Sequence, residues 1–315
     1  MNKAQKKMTW QSILYEGIGD LGQRLPIRYI HILGQALGQA MWFLLPKRRR
    51  LAIAAISQHL NLDSKQAREM AHSNFLNIGC SFFELFLNRK IDFRFINDHF
   101  YIFQPEVLSY IISVDRPIVA ITAHLGAWEI LAGILWLYFP DRASQIVIQK
   151  NKNPSLDQFI VHYRQHAGVN ILYNKQSSRK IMRGLKSNGI SAFLVDHNCG
   201  RRKAFFLPFL KEYAAVNMGP AFLAVASQAL IWPIFLLREA NQKYRLHVQK
   251  PLDTKELEGN NEEKMVQATS FYNKTVEEMV LTYPEQWFWM HKRWKTRPKS
   301  EQELRHAALI NDLGL

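Results

Sequence analysis

The sequence predicts an α/β protein: a mixed, mostly parallel sheet covered by helices on both faces, preceded by a helical, membrane-associating extension. Two observations carry this. From Asp115 onward, short β-branched or apolar runs alternate with segments of helical periodicity, as in a sheet whose crossovers are helices. Upstream, from Tyr29 to Leu87, apolar residues recur at helical spacing. At 315 residues the chain can bury one large core or two modest ones. The expected organisation is a helical region over 1–90, an α/β domain over 91–298 and a polar, peripheral tail over 299–315.

Taken in order, Ile30, Leu33, Leu37, Met41 and Leu44 form a helical stripe that Pro46 and the basic run Lys47 to Arg50 close. His31, Gln35 and Gln39 interrupt it, and it falls short of the ~20 apolar residues of a spanning helix. It reads either as a core helix with a solvated basic end or as an interfacial anchor whose arginines meet lipid phosphates. Residues 51–60 and 64–87 are two further helices, with Ser64 as N-cap. Next come a strand at 117–122, a helix at 128–138, a strand at 144–148 and a helix opening near Pro154. A strand at 169–172, a helix at 177–186 and a strand at 190–195 continue the alternation, and 205–209 is another short strand. A helix at 218–229, strands at 230–237 and 244–249 and a long helix at 262–282 complete the body.

Lys and Arg total 41 against 26 Asp and Glu, a net charge of +15 that attracts anionic partners. The 8 Trp and 19 Phe beside these cations suit a bilayer interface. The chain has no CxxC pair and no RNA-recognition signature, so nucleic acid is not an expected partner. Cys80 and Cys199 are too few for a disulfide framework, which favours a reduced, cytosolic-side compartment, and no secretory signal is expected. His162 with His166, and His197 with Cys199, lack a third ligand, so no metal is expected.

His124 directly follows a buried-type strand, at the carboxyl end where open α/β sheets bind ligands. Gly126 permits close backbone approach. Glu129, five positions after His124, is expected to return its carboxylate to the imidazole, fixing one tautomer and leaving the other nitrogen as a base. No serine or cysteine stands beside the pair, so a substrate hydroxyl is the natural proton donor.

The run His124-Leu125-Gly126-Ala127-Trp128-Glu129 resembles the first motif of the bacterial lipid A late acyltransferases, within the wider glycerophosphate and lysophospholipid acyltransferase superfamily. The resemblance extends from Lys47 to Pro298. It takes in Asn153 to Asp157 with Arg164 and Gly168, Ala192 to Asp196 with Gly200, Phe206, Pro208 and Phe209, then Gly219-Pro220-Ala221 and Trp232 to Phe235. The ending Pro284 to Lys295 is its most specific part. The resemblance implies His124 as general base oriented by Glu129, with Gly126, Trp128, Lys150, Arg164, Asp196 and Pro208 engaging substrate. It implies no cofactor, an acyl carrier protein or coenzyme A thioester as co-substrate, and a lipid A precursor or other anionic lipid as acceptor. It also implies the cytoplasmic face of an inner membrane. The oxyanion donors stay open between backbone N–H groups near Gly126 and a basic side chain. The family usually has Asn where Ala127 stands, Arg-Pro where Gln149-Lys150 stands and Gln where His197 stands, which marks acceptor and chain-length choice as the properties that have moved. A lysophospholipid or amino-acid lipid acceptor is the alternative within this chemistry, and a non-catalytic lipid-binding protein is the alternative outside it.

Overall fold

Close backbone approach decides how the N-terminal helices pack. The computed structural model describes residues 17, 22, 24–151, 153–165, 168–173 and 177–312. Its first helices are α1 (Ile27–Leu44), α2 (Pro46–Leu60) and α3 (Ser64–Glu84). A Cβ on Gly38 would lie 2.3 Å from the Phe75 carbonyl oxygen, and one on Gly79 2.1 Å from that of Gly34, so α1 and α3 meet where only glycine fits. The buried face of α1 is therefore Ile30, Gly34, Gly38 and Trp42. Leu33 and Leu44, expected on the same stripe as Ile30, are exposed together with Tyr29, Ile32 and Phe43.

Pro46 is the first residue of α2, where its missing N–H costs nothing, rather than only the stop of α1. Two cations of the basic run are thereby bound within the chain: Arg48 donates to the Met290 carbonyl at 2.9 Å, and Arg49 lies 5.3 Å over the Trp42 ring. Asp63, not Ser64, caps α3, because its carboxylate accepts from the Lys65 and Gln66 N–H groups while Gln66 reaches back.

Beyond a 3₁₀ segment (Leu85–Lys90) come α4 (Phe93–His99), β1 (Phe100–Phe103) and α5 (Pro105–Ser113), none of them anticipated. The expected alternation follows: β2 (Ile118–Thr122), a 3₁₀ turn (Trp128–Ile130), α6 (Leu131–Tyr138), β3 (Ser144–Ile148), α7 (Pro154–Gln165), β4 (Asn170–Tyr173), α8 (Ser178–Lys186) and β5 (Ile190–Leu194). A two-stranded hairpin stands apart, formed by β6 (Ala204–Phe209) and β7 (Glu212–Asn217). Then come α9 (Gly219–Ser227), β8 (Leu230–Arg238), β9 (Tyr244–Val248), β10 (Leu252–Asp253), α10 (Asn261–Thr282) and α11 (Arg305–Asp312).

The main sheet runs β1-β9-β8-β2-β5-β3-β4, with β10 on β8. All its pairings are parallel except β8 with β9 and β8 with β10. Every residue of β2 is buried, as a central parallel strand requires. Alternate residues feed two cores: Val119 and Ile121 join Phe75, Phe235 and Val276, while Ile118 and Ala120 join Ile30, Phe86, Ile134 and Leu236. The N-terminal helices thus contribute to both cores instead of closing one of their own. The segment read as a polar tail also carries apolar weight, since Ala307 and Ile310 of α11 are buried and Ile310 joins the first core. Among the described residues no helix is long and apolar enough to cross a membrane.

Candidate active site

The pairing of β2 with β5 sets the site. They run parallel with Thr122 opposite Leu194, and the ladder continues through the Val195 N–H to the Thr122 carbonyl at 3.0 Å. The residues two places beyond, His124 and Asp196, therefore emerge side by side at the carboxyl edge. The Asp196 carboxylate is 2.9 Å from His124 Nδ1 and accepts the His124 backbone N–H at 3.0 Å and the Trp287 indole N–H at 2.9 Å. With Nδ1–H donated to a carboxylate, Nε2 is left with its lone pair. The His124 side chain is 31% exposed and that of Asp196 fully buried.

Electrostatics follow from this pairing. Burial disfavours the charged imidazole, but the Asp196 charge and its hydrogen bond outweigh burial, and the His124 pKa lies above the ordinary 6.5. Asp196 is likewise opposed by burial, yet the His124 ring holds its pKa well below the usual carboxylate range. Beneath them His291 places Nε2 3.1 Å from the Asp196 carbonyl and Nδ1 against that of Phe288. Burial pushes its pKa down to about 4, so it is neutral and donates to only one of the two carbonyls.

The turn after His124 is gripped on both sides. The Phe288 N–H donates to the His124 carbonyl at 2.9 Å, the Gly126 N–H to the Gln286 carbonyl at 3.0 Å, and the Ala127 N–H to the Leu236 carbonyl at 2.7 Å. Gly126 has φ +64°, and a Cβ there would lie 2.1 Å from the Leu236 oxygen, so this position admits glycine alone. Trp128 and Phe288 flank the imidazole with ring centroids 5.5 and 5.9 Å away.

Glu129 does not orient His124. The 3₁₀ turn carries its carboxylate to Arg164 of α7, which binds it in a fork, Nε to Oε2 at 2.9 Å and Nη2 to Oε1 at 2.7 Å, and the Trp128 indole N–H adds a third bond at 3.1 Å. The carboxylate that meets His124 Nδ1 is that of Asp196, which sequence reasoning had placed among the substrate contacts. The Glu129–Arg164 pair still acts on His124 through space, the carboxylate raising its pKa and the guanidinium lowering it.

An apolar cleft opens beside this pair, lined by Trp128, Glu129 and Arg164 at its polar side and by Ala120, Leu131, Ala132, Leu135, Ala192 and Ile234 within. The Thr122 hydroxyl, on the same strand face as His124, also lines it and is buried without a hydrogen-bond partner among the described residues. Two expected contacts lie elsewhere. The Lys150 ammonium sits 6.0 Å over the Tyr173 ring, whose hydroxyl is bound to Asp157. Pro208 faces outward on the hairpin opposite Tyr213, lining a surface cleft with Lys211, Glu212 and Arg297 instead. Ala127, marked for acceptor choice, is fully buried in the second core and lines neither cleft.

Several cations beyond the Lys47 to Arg50 run are used within the chain. Arg201 pairs with Glu303 and Arg297 with Glu212, and Arg293 is buried 5.0 Å from the Phe209 ring centroid, donating to the Ala215 carbonyl at 2.7 Å. Trp287 and Trp289 are core residues. Of the two pairs weighed as metal ligands, His162 with His166 is not described as a pair, because His166 lies outside the described residues. His197 sits with its carbonyl 3.4 Å from Arg293, and the Cys199 thiol lies 3.6 Å from the Ala215 carbonyl.

Comparison with known proteins accords with this arrangement. Residues 2–296 match the model of the bacterial lipid A biosynthesis acyltransferase family. The chain is 26% identical over 306 residues to the lipid A biosynthesis lauroyltransferase of Escherichia coli K12, covering 93% of this chain and 92% of that protein. It is 24% identical over 300 residues to the palmitoleoyltransferase of the same organism, covering 94% of each. A lipid A biosynthesis acyltransferase of Haemophilus influenzae is 27% identical over 184 residues, 58% of this chain and 56% of that protein. The family match spans His124, Asp196, the cleft and the Trp287 segment alike, and the chain belongs to the bacterial lipid A biosynthesis acyltransferase family.

Proposed function

We propose that this acyltransferase moves a fatty acyl chain from an acyl carrier protein thioester to a hydroxyl of a lipid A precursor at a membrane surface. The observation that carries the reading is the His124–Asp196 pair, whose imidazole packs 5.5 Å from the ring of Trp128, a residue that lines the apolar cleft together with Glu129 and Arg164. His124 Nε2 takes the acceptor hydroxyl proton as that oxygen attacks the thioester carbonyl carbon. The tetrahedral intermediate collapses, the C–S bond breaks, and the imidazolium returns the proton to the departing thiolate. Arg164, fixed in direction by Glu129, supplies positive charge where the oxyanion develops. The acyl chain occupies the apolar cleft, whose inner wall includes Ala132 of α6. Ala132→Phe is expected to shift the product toward shorter acyl chains, which mass spectrometry of the acylated lipid reads directly.

The exposed apolar side chains of α1, namely Tyr29, Ile32, Leu33, Phe43 and Leu44, lead into the exposed cations Lys47 and Arg50. That combination suits insertion into the headgroup boundary of an anionic leaflet, here the cytoplasmic face of the inner membrane, with α1 lying in the interface. The net +15 also suits an acidic donor carrier.

The test is transfer from acylated carrier protein to a lipid A precursor in anionic vesicles. His124→Ala is expected to reduce transfer by about 10²- to 10⁴-fold, the usual worth of a general base. Equal rates for His124→Ala and the wild type would sink the assignment of the base, and acylation of lysophospholipid in place of the precursor would move the acceptor.

A further inference from the structure

A base carried on a tight turn is only as well placed as the peptide groups of that turn. Gly126 is held on both sides of its residue by one cluster. Arg238, the last residue of β8, has a side chain only 9% exposed. Its guanidinium grips Glu84 of α3 in a fork, Nε to Oε1 at 2.7 Å and Nη2 to Oε2 at 2.6 Å, and Nη2 also donates to the Gly126 carbonyl at 3.0 Å. The Ser81 hydroxyl lies 3.1 Å from the same carbonyl. The backbone of Arg238 is tied to the Gln286 side chain by bonds of 2.9 and 3.1 Å, and the Gln286 carbonyl receives the Gly126 N–H. Both the N–H and the C=O of Gly126 therefore lead back to Arg238.

The cluster continues to the N-terminal helix. Fully buried Glu84 also accepts from the Tyr244 hydroxyl at 3.1 Å, and His31 Nε2 of α1 lies 2.8 Å from that hydroxyl. None of these side chains lines the cleft. A buried ion pair is on average no more stabilising than apolar residues of the same shape, so stability alone gives it no purpose here.

We propose that Arg238, seated by Glu84 and Ser81, is the positioning residue of the His124 turn, fixing the Gly126 peptide so that the imidazole keeps its bond to Asp196 and its place beside Trp128. This rests on the acyl-transfer reading above. Without the clamp the Gly126 carbonyl loses its charged donor, and the turn gains freedom where a displacement of about 1 Å costs on the order of 10²-fold in rate.

The experiment is the double variant Glu84→Leu with Arg238→Met, which removes both charges together and keeps the packing apolar. Its melting temperature is expected to match or exceed that of the wild type, with KM for the acyl donor held and kcat lowered by about 10- to 100-fold. A double variant that melts cooperatively and keeps wild-type kcat overturns the proposal. Ser81→Ala is measured alongside, so that a double variant that does not fold still leaves a decision. It is expected to lose about two- to tenfold in kcat, the worth of one neutral hydrogen bond, while still melting cooperatively within a few degrees of the wild type. Full kcat in that variant overturns the proposal as well. Wild type and His124→Ala run in parallel. If those two are equal the functional reading fails, whereas if they differ and the clamp variants match the wild type, only the clamp falls.

Discussion

Asp196→Asn is expected to lower kcat by about 10²- to 10⁴-fold while leaving the fold intact, because it installs the wrong tautomer of the base. Asp196 Oδ2 receives two fixed donors, the His124 backbone N–H and the Trp287 indole N–H. In the variant the asparagine carbonyl must take that side, since turning the amide over would set its NH₂ against both of them. The NH₂ then faces His124 Nδ1, which can only accept, and the ring proton moves to Nε2, where the acceptor hydroxyl needs a lone pair.

The same substitution shifts the pH profile, with a sign that follows from the causes of the His124 shift. Burial lowers the pKa of that ring and Asp196 raises it above 6.5. In the wild type, kcat/KM is lost as pH falls through this raised value, because the base becomes protonated. With the carboxylate neutralised, burial, the largest single cause, dominates over the opposing charges of Glu129 and Arg164, so the acid limb of the small residual activity moves to lower pH. Rates measured from mildly acid to mildly alkaline pH with saturating and limiting donor separate the two effects. An unchanged limb would mean that Asp196 does not set the charge of His124.

The place of His124 at the carboxyl edge of the sheet was legible from local sequence, and its carboxylate neighbour was not, for a physical reason. A histidine straight after a buried-type strand marks the carboxyl edge of a sheet without knowledge of what lies beside it. Which strand lies beside it is a property of tertiary pairing. Once β2 and β5 are neighbours with Thr122 opposite Leu194, a residue two places past each strand must meet the other, and Asp196 follows. Lacking that register, the five-residue spacing made Glu129 the natural orienter, and only the 3₁₀ geometry of Trp128–Ile130 sends its carboxylate to Arg164. The long periodic elements, such as α10 and β8, were read within a residue or two of their ends. By contrast β1 and β7 are short and partly exposed strands whose partners lie far away or across a tight turn, so no strong alternation announces them. The glycine contacts of α1 are of the same kind, since Gly34 and Gly38 at the centre of its buried face carry no apolar signal between Ile30 and Trp42.

The second large effect is expected at the Glu129–Arg164 pair, and it separates stability from chemistry. Both side chains are nearly buried, 13% and 16% exposed, so removing one strands the other's charge at a cost of about 3 to 5 kcal/mol. Arg164→Ala should therefore melt several degrees below the wild type and also lose about 10²- to 10³-fold in kcat, as expected for a donor to a developing oxyanion. Glu129→Ala should lose stability similarly and retain more activity, because the guanidinium persists without its fork. The double variant Glu129→Leu with Arg164→Met is the discriminating case. It leaves no charge stranded, so melting returns toward the wild type, while kcat remains as low as in Arg164→Ala. Its acid limb should stay close to that of the wild type, because the carboxylate and guanidinium act on His124 in opposite senses and leave together. If instead Glu129→Gln alone reproduced both the collapse of kcat and the shift of the limb expected for Asp196→Asn, Glu129 would be the partner of the base after all.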